Sequence, residues 1–88
     1  MTMKVGIPSV LRSYTAGAST VEANGATVAA LLHDLDARYP GIRFRMVNEV
    51  DALRPHMRVF VNRESISDLG KALAPKDEVM ILHALSGG

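Results

Sequence analysis

A chain of 88 residues has room for one hydrophobic core but not for two cores joined by a linker. With 48% hydrophobic and 22% charged residues it has the composition of a folded domain, and 10 Lys+Arg against 9 Asp+Glu leave a net charge of +1, no excess with which to grip a nucleic-acid backbone. Cysteine is absent, which removes disulfides, thiolate nucleophiles and Cys-based metal sites and fits a reducing cytoplasm.

No apolar run reaches signal-peptide or membrane-spanning length, so neither export nor a membrane partner is expected. Met3 to Ile7 alternates apolar and other residues with period two, and Pro8 removes a ladder donor and closes it: a first strand. Ser19 to Ala23 resumes a short strand before Asn24-Gly25 turns the chain, and the two runs can pair as a hairpin with a loose connection. The period then changes. Val28, Leu31, Leu32, Leu35 and Tyr39 lie at offsets 0, +3, +4, +7 and +11, one stripe of an α-helix from Thr27 to Tyr39. Thr27 can cap its start, Asp34 and Arg38 can pair at i,i+4 on its outer side, and Pro40-Gly41 stops it.

Residues Ile42 to Pro55 carry no clear period and read as an irregular or short helical connection that packs through Phe44, Met46, Val47 and Val50. Met57 to Val61 alternates as a strand, Asn62-Arg63-Glu64 turns the chain, and Ser65 to Ser67 returns as an edge. After a loop containing Gly70 and Pro75, the apolar run Glu78 to Leu85 forms the last strand. Two strands, one long helix and two or three further strands make an α+β domain. The expected architecture is a β-grasp, a mixed sheet of four to five strands with one main helix over residues 1–85, its first and last strands parallel at the centre; residues 86–88 form a Gly-Gly tail.

Four stretches give the chain a resemblance to the ubiquitin-like sulfur carriers of the MoaD/ThiS family. They are Ile7-Pro8-Ser9-Val10-Leu11-Arg12; Gly25 to Leu32 with Tyr39-Pro40-Gly41; Val59-Phe60-Val61-Asn62; and Leu73 through Asp77-Glu78-Val79 to Ser86-Gly87-Gly88. The Ile-Pro and Leu-Arg start followed by Thr15-Ala16-Gly17 is most similar to the CysO-type carriers. The resemblance implies a carrier rather than an enzyme. Its Gly88 carboxylate would be adenylated by an E1-like adenylyltransferase/sulfurtransferase that uses ATP, converted to a thiocarboxylate, and presented to a sulfur-accepting biosynthetic enzyme. No permanently bound cofactor and no metal are implied. A protein modifier conjugated through the same terminus, or an assembly module that binds through its sheet, are the competing functions.

The tail has a physical logic of its own. Gly87 and Gly88 lack Cβ atoms and can thread a narrow channel, and Ser86 to Gly88 in extended form reach on the order of 10 Å. Strand alternation completes the candidate site: with Val59, Val61, Val79 and Ile81 inward, Phe60, Met80 and Leu82 face outward as one apolar cluster that continues through Leu85, Ser86 and Gly87. A loop from 42 to 55 folded over this cluster would turn it into core. His33, His56 and His83 are far apart in sequence and lack metal-ligand spacing, Arg12 is expected to be solvated, and the single carboxylates read as surface charge.

Overall fold

Alternating burial in four short segments builds the sheet. The computed structural model describes residues 2–84, and its strands are β1 (Met3–Gly6), β2 (Thr20–Ala23), β3 (Met57–Val61), β4 (Glu64–Ile66) and β5 (Val79–His83). They form a single sheet in the order β2-β1-β5-β3-β4. β1 and β5 run parallel at its centre, with Val5 opposite Val79, and every other pairing is antiparallel. This is the expected β-grasp. Met3, Val5, Val21, Ala23, Met57, Val59, Val61, Val79 and Ile81 all point to one face and are buried there.

Helix α1 (Val28–Arg38) covers that face with Val28, Leu31, Leu32 and Leu35, the stripe its spacing predicts. The first N–H groups of a helix have no partner within it, and here each is met from outside. Val28 N and Ala29 N donate to the carbonyls of Lys71 and Leu69, and Ala30 N donates to Thr27 Oγ1 at 3.1 Å. The segment after β4 thus ties back onto the helix start. Asp34 accepts from Arg38 Nε at 2.8 Å and also from the Asn24 backbone N–H, so it holds the helix to the end of β2.

The connection from 42 to 55 contains a short helix, α2 (Ile42–Met46), which buries Ile42 and Met46 under the sheet; Val47 is buried with them, whereas Phe44 and Val50, expected to pack, are exposed. Gly41 enters it at φ +97°, a left-handed conformation suited to glycine, and Asp36 Oδ1 receives the N–H groups of Gly41 and Arg43. Asp36 is therefore a cap rather than free surface charge. A bridge between Val47 and Leu53 closes the loop that follows. The last strand is shorter than the Glu78–Leu85 expectation, spanning Val79–His83, and no helix is long and apolar enough to cross a membrane among the described residues.

Candidate functional site

The face of the sheet turned away from α1 is left open, and alternation decides what lies on it. Phe60 stands opposite Met80 across the β3–β5 pair, Arg58 opposite Leu82, and Gly6 opposite Met80 across the β1–β5 pair. Met80 is 41% exposed, Leu82 38% exposed, and Phe60 half-buried against them. Together with Arg63 and Glu78 they line a depression of about 240 Å³. The loop from 42 to 55 does not line it. The predicted cluster of Phe60, Met80 and Leu82 is thus a surface feature, while Leu85, Ser86, Gly87 and Gly88 lie outside the described residues.

Two details shape this face. A Cβ on Gly6 would approach Met80 Cγ to 3.3 Å, so the glycine leaves room for the methionine to lie across the sheet. The β3–β4 turn consists of Asn62 at φ +51° and Arg63 at φ +72°. Asn62 fits such a turn and is used further: its amide donates to Asp77 Oδ1 at 2.9 Å, and its carbonyl oxygen accepts from the Glu78 N–H. Hydrogen bonds from the Ala74 N–H and then from Asn62 hold the Asp77 carboxyl below its usual range. Arg63 is the unusual member, because a turn of this hand ordinarily takes glycine there.

The other side of β5 reaches a second surface feature that sequence reading missed. At the end of the sheet where β5 stops, Val10, Phe44, Arg45, Arg54, His56 and His83 line a groove of about 500 Å³ with Leu11 and Met57 at its base. His56 and His83, far apart in sequence, meet edge-to-face with ring centroids 5.2 Å apart, because Met57 pairs with His83 across the β3–β5 ladder. They do not form part of any metal-ligating group among the described residues. Arg54 lies over the Phe44 ring at 5.0 Å and donates from Nε to the Phe44 carbonyl, leaving that ring 66% exposed. The last described backbone hydrogen bond of the chain runs from Ala84 N to the His56 carbonyl at 2.7 Å.

Arg12, expected to be solvated, is half-buried and donates from Nε to the Ile7 carbonyl at 3.0 Å, closing the turn that follows β1. The signal for the groove was present as Arg45, Arg54 and His56. Their approach to His83 depends on long-range strand pairing, which local spacing does not encode.

Residues 5–88 match the ThiS family. The chain is 37% identical over 93 aligned positions to the sulfur carrier protein CysO of Mycobacterium tuberculosis, with both chains covered in full. Among solved structures, the Amycolatopsis orientalis BexX/CysO complex contains a chain 37% identical with a TM-score of 0.90, the match covering 98% of this chain and 99% of that one. SAMP1, the small archaeal modifier protein 1 of Haloferax volcanii, superposes with a TM-score of 0.82 at 30% identity and complete coverage of both chains.

Proposed function

The chain belongs to the ThiS family, and on that footing we propose that it is a sulfur carrier whose reacting group is the carboxylate of Gly88. The observation that carries this reading is the extent of the family match, which runs from β1 through Gly87-Gly88. A carboxylate is resonance-stabilised and resists attack by sulfur nucleophiles. An E1-like adenylyltransferase overcomes this by letting a Gly88 oxygen attack the α-phosphorus of ATP, with pyrophosphate leaving. A hydrosulfide-level donor then forms the C–S bond as the C–O bond to AMP breaks, giving a thiocarboxylate. That sulfur is nucleophilic at neutral pH, as low-pKa thiolates are, and attacks an activated acceptor held by a biosynthetic enzyme, expelling the acceptor's leaving group and giving a thioester whose acyl C–S bond is then cleaved by water to release the sulfur with the product. Hydrolysis returns the carboxylate, and the carrier re-enters the cycle as a co-substrate.

On this reading the folded body is a handle. The open face with Phe60, Met80 and Leu82 is an exposed apolar patch of the kind that marks interaction sites. Leu85, Ser86 and Gly87 bridge from it to the reacting end. The relative solved as a BexX/CysO complex supports a carrier that works while docked to another protein.

The test is intact-protein mass spectrometry of the full chain after incubation with ATP, sulfide and an E1-like activating enzyme. The expected result is the mass gain of one oxygen exchanged for sulfur, abolished by deleting Gly88 and strongly reduced by Phe60→Glu with the fold preserved. A mass gain that persists without Gly88 refutes the assignment. The likeness to SAMP1 favours one second reading, conjugation of the same terminus to lysine amines of proteins. A Gly88-dependent ladder of conjugates in cells, without thiocarboxylate, would select it.

A further inference from the structure

We infer that the groove beneath the end of β5 is a second docking surface, a cationic collar around the root of the tail that takes an acidic rim of the activating enzyme. This inference rests on the carrier reading and adds the chemistry of the partner's surface. Beyond Ala84 only four residues separate the described domain from the Gly88 carboxylate. Four extended residues span at most about 14 Å. An active site that holds Gly88 must therefore bring its own outer surface against the end of the sheet where β5 stops. Contact is imposed by the length of chain, and the open question is the sign of charge the partner must present.

The groove answers it. The guanidinium groups of Arg45 and Arg54 line it beside the rings of His56 and His83, and no carboxylate does among the described residues. Arg58, at the same end of the sheet on the open face, adds a further guanidinium beside Leu82. Glu49 and Asp51 lie beyond Phe44, where Asp51 is already paired with Arg43 at 2.7 Å. The far end of the sheet is different. There Glu64, Asp77 and Glu78 accompany Arg63 and Lys76. A net charge of +1 thus conceals an uneven distribution, with the guanidinium groups of Arg45, Arg54 and Arg58 gathered at the end of the sheet where β5 stops. Exposed Val10 and Phe44 supply apolar contact between these cations, so the fitting partner surface is a ridge of carboxylates interleaved with aliphatic side chains. Such pairing steers encounter and fixes orientation, and it weakens as salt shortens the screening length to about 8 Å at physiological ionic strength.

The test measures KM and kcat for the full-length carrier in the thiocarboxylation assay with the E1-like enzyme, from 50 to about 400 mM NaCl. Arg45→Glu is the principal variant, because Arg45 makes no hydrogen bond or ion pair among the described contacts; Arg45→Glu with Arg54→Gln is the stronger one. Lys76→Glu at the far end makes the same change of net charge and serves as the control. The expected result is a rise in KM of about tenfold for Arg45→Glu at low salt, with kcat retained, a flattened salt dependence, and no rise for Lys76→Glu. Equal KM values for Arg45→Glu and wild type, with thiocarboxylation still dependent on Gly88, overturn the collar and leave the carrier reading standing. A wild-type chain that gains no sulfur overturns both. Calorimetric titration of ATP into the carrier alone gives the remaining outcome: binding lost in Arg45→Glu would make the groove a phosphate site and refute an acidic protein rim.

Discussion

Gly25→Ala tests how closely the β2–α1 connection packs on the first turn of the helix it leads into. A Cβ at position 25 would lie 2.3 Å from the Leu31 backbone N, 2.7 Å from Leu31 Cα and 2.8 Å from the Ala30 carbonyl carbon. Ordinary contacts of this kind begin near 3.4 Å, so the two segments must separate by about 1 Å, and the obstacle is helix backbone that cannot rotate away as a side chain can. Overpacking typically costs about 1–3 kcal/mol; a rigid obstacle puts this site at the upper end, about 3 kcal/mol. For a domain of this size that lowers Tm by about 12–24 °C. Gly17→Ala is the matched comparison. Gly17 has φ +87° with open space where a Cβ would sit, so it bears only the left-handed penalty of about 1–2 kcal/mol, partly offset by a stiffer unfolded chain. Urea unfolding followed by far-UV circular dichroism measures both. Equal losses at positions 17 and 25, or a Gly25→Ala loss below about 1 kcal/mol, would refute the steric argument.

Arg63→Gly relieves a non-glycine residue held at φ +72°; after the added unfolded-state freedom of glycine the expected gain is about 0.5 kcal/mol, a rise of about 3 °C in thermal denaturation. A fall in Tm would show that the arginine side chain stabilises the fold by more than its backbone costs. Acid stability follows from Asp34, Asp51 and Asp77, whose native values lie below 3.8, held down first by the Asn24 N–H, the Arg43 guanidinium and the Ala74 N–H respectively. Because native values are depressed, their contribution is present above the unfolded value and disappears as pH falls through the native ones. The urea midpoint should therefore hold between neutrality and about pH 4.5 and decline below about pH 4, modestly because Asp51 is exposed and Asp34 and Asp77 are only partly buried. A decline that begins near pH 6 would implicate other groups.

Most of the fold was legible because it is written in local period. The stripe Val28, Leu31, Leu32 and Leu35 located α1, Thr27 located its cap, and alternation in Met57–Val61 and Val79–His83 placed Phe60, Met80 and Leu82 outward. What local period cannot supply is partnership across the chain. His56 meets His83 through a contact that exists only once the strands are in register, while Asp36, which caps α2, and Arg12, which turns back to Ile7, act over seven residues or fewer through side-chain-to-backbone bonds that the hydrophobic period does not encode. The helix α2 hides for another reason: its five residues offer only Ile42 and Met46 as a buried pair, too short a run for a helical stripe to emerge from sequence.

Strand order explains why this fold suits a carried terminus. β5 lies between β1 and β3: its register with β1 covers Val79 and Met80, while the half that leads to the tail, through His83, is held by its pairing with β3. The Ala84 to His56 hydrogen bond extends that hold to the last described residue. β5 therefore ends between two unlike surfaces, an apolar open face with Met80 and Leu82 on one side and a groove lined by Arg45 and Arg54 on the other. On the proposed carrier reading, a partner that matches both surfaces would admit the tail in one rotational setting only and so position the Gly88 carboxylate for its own chemistry.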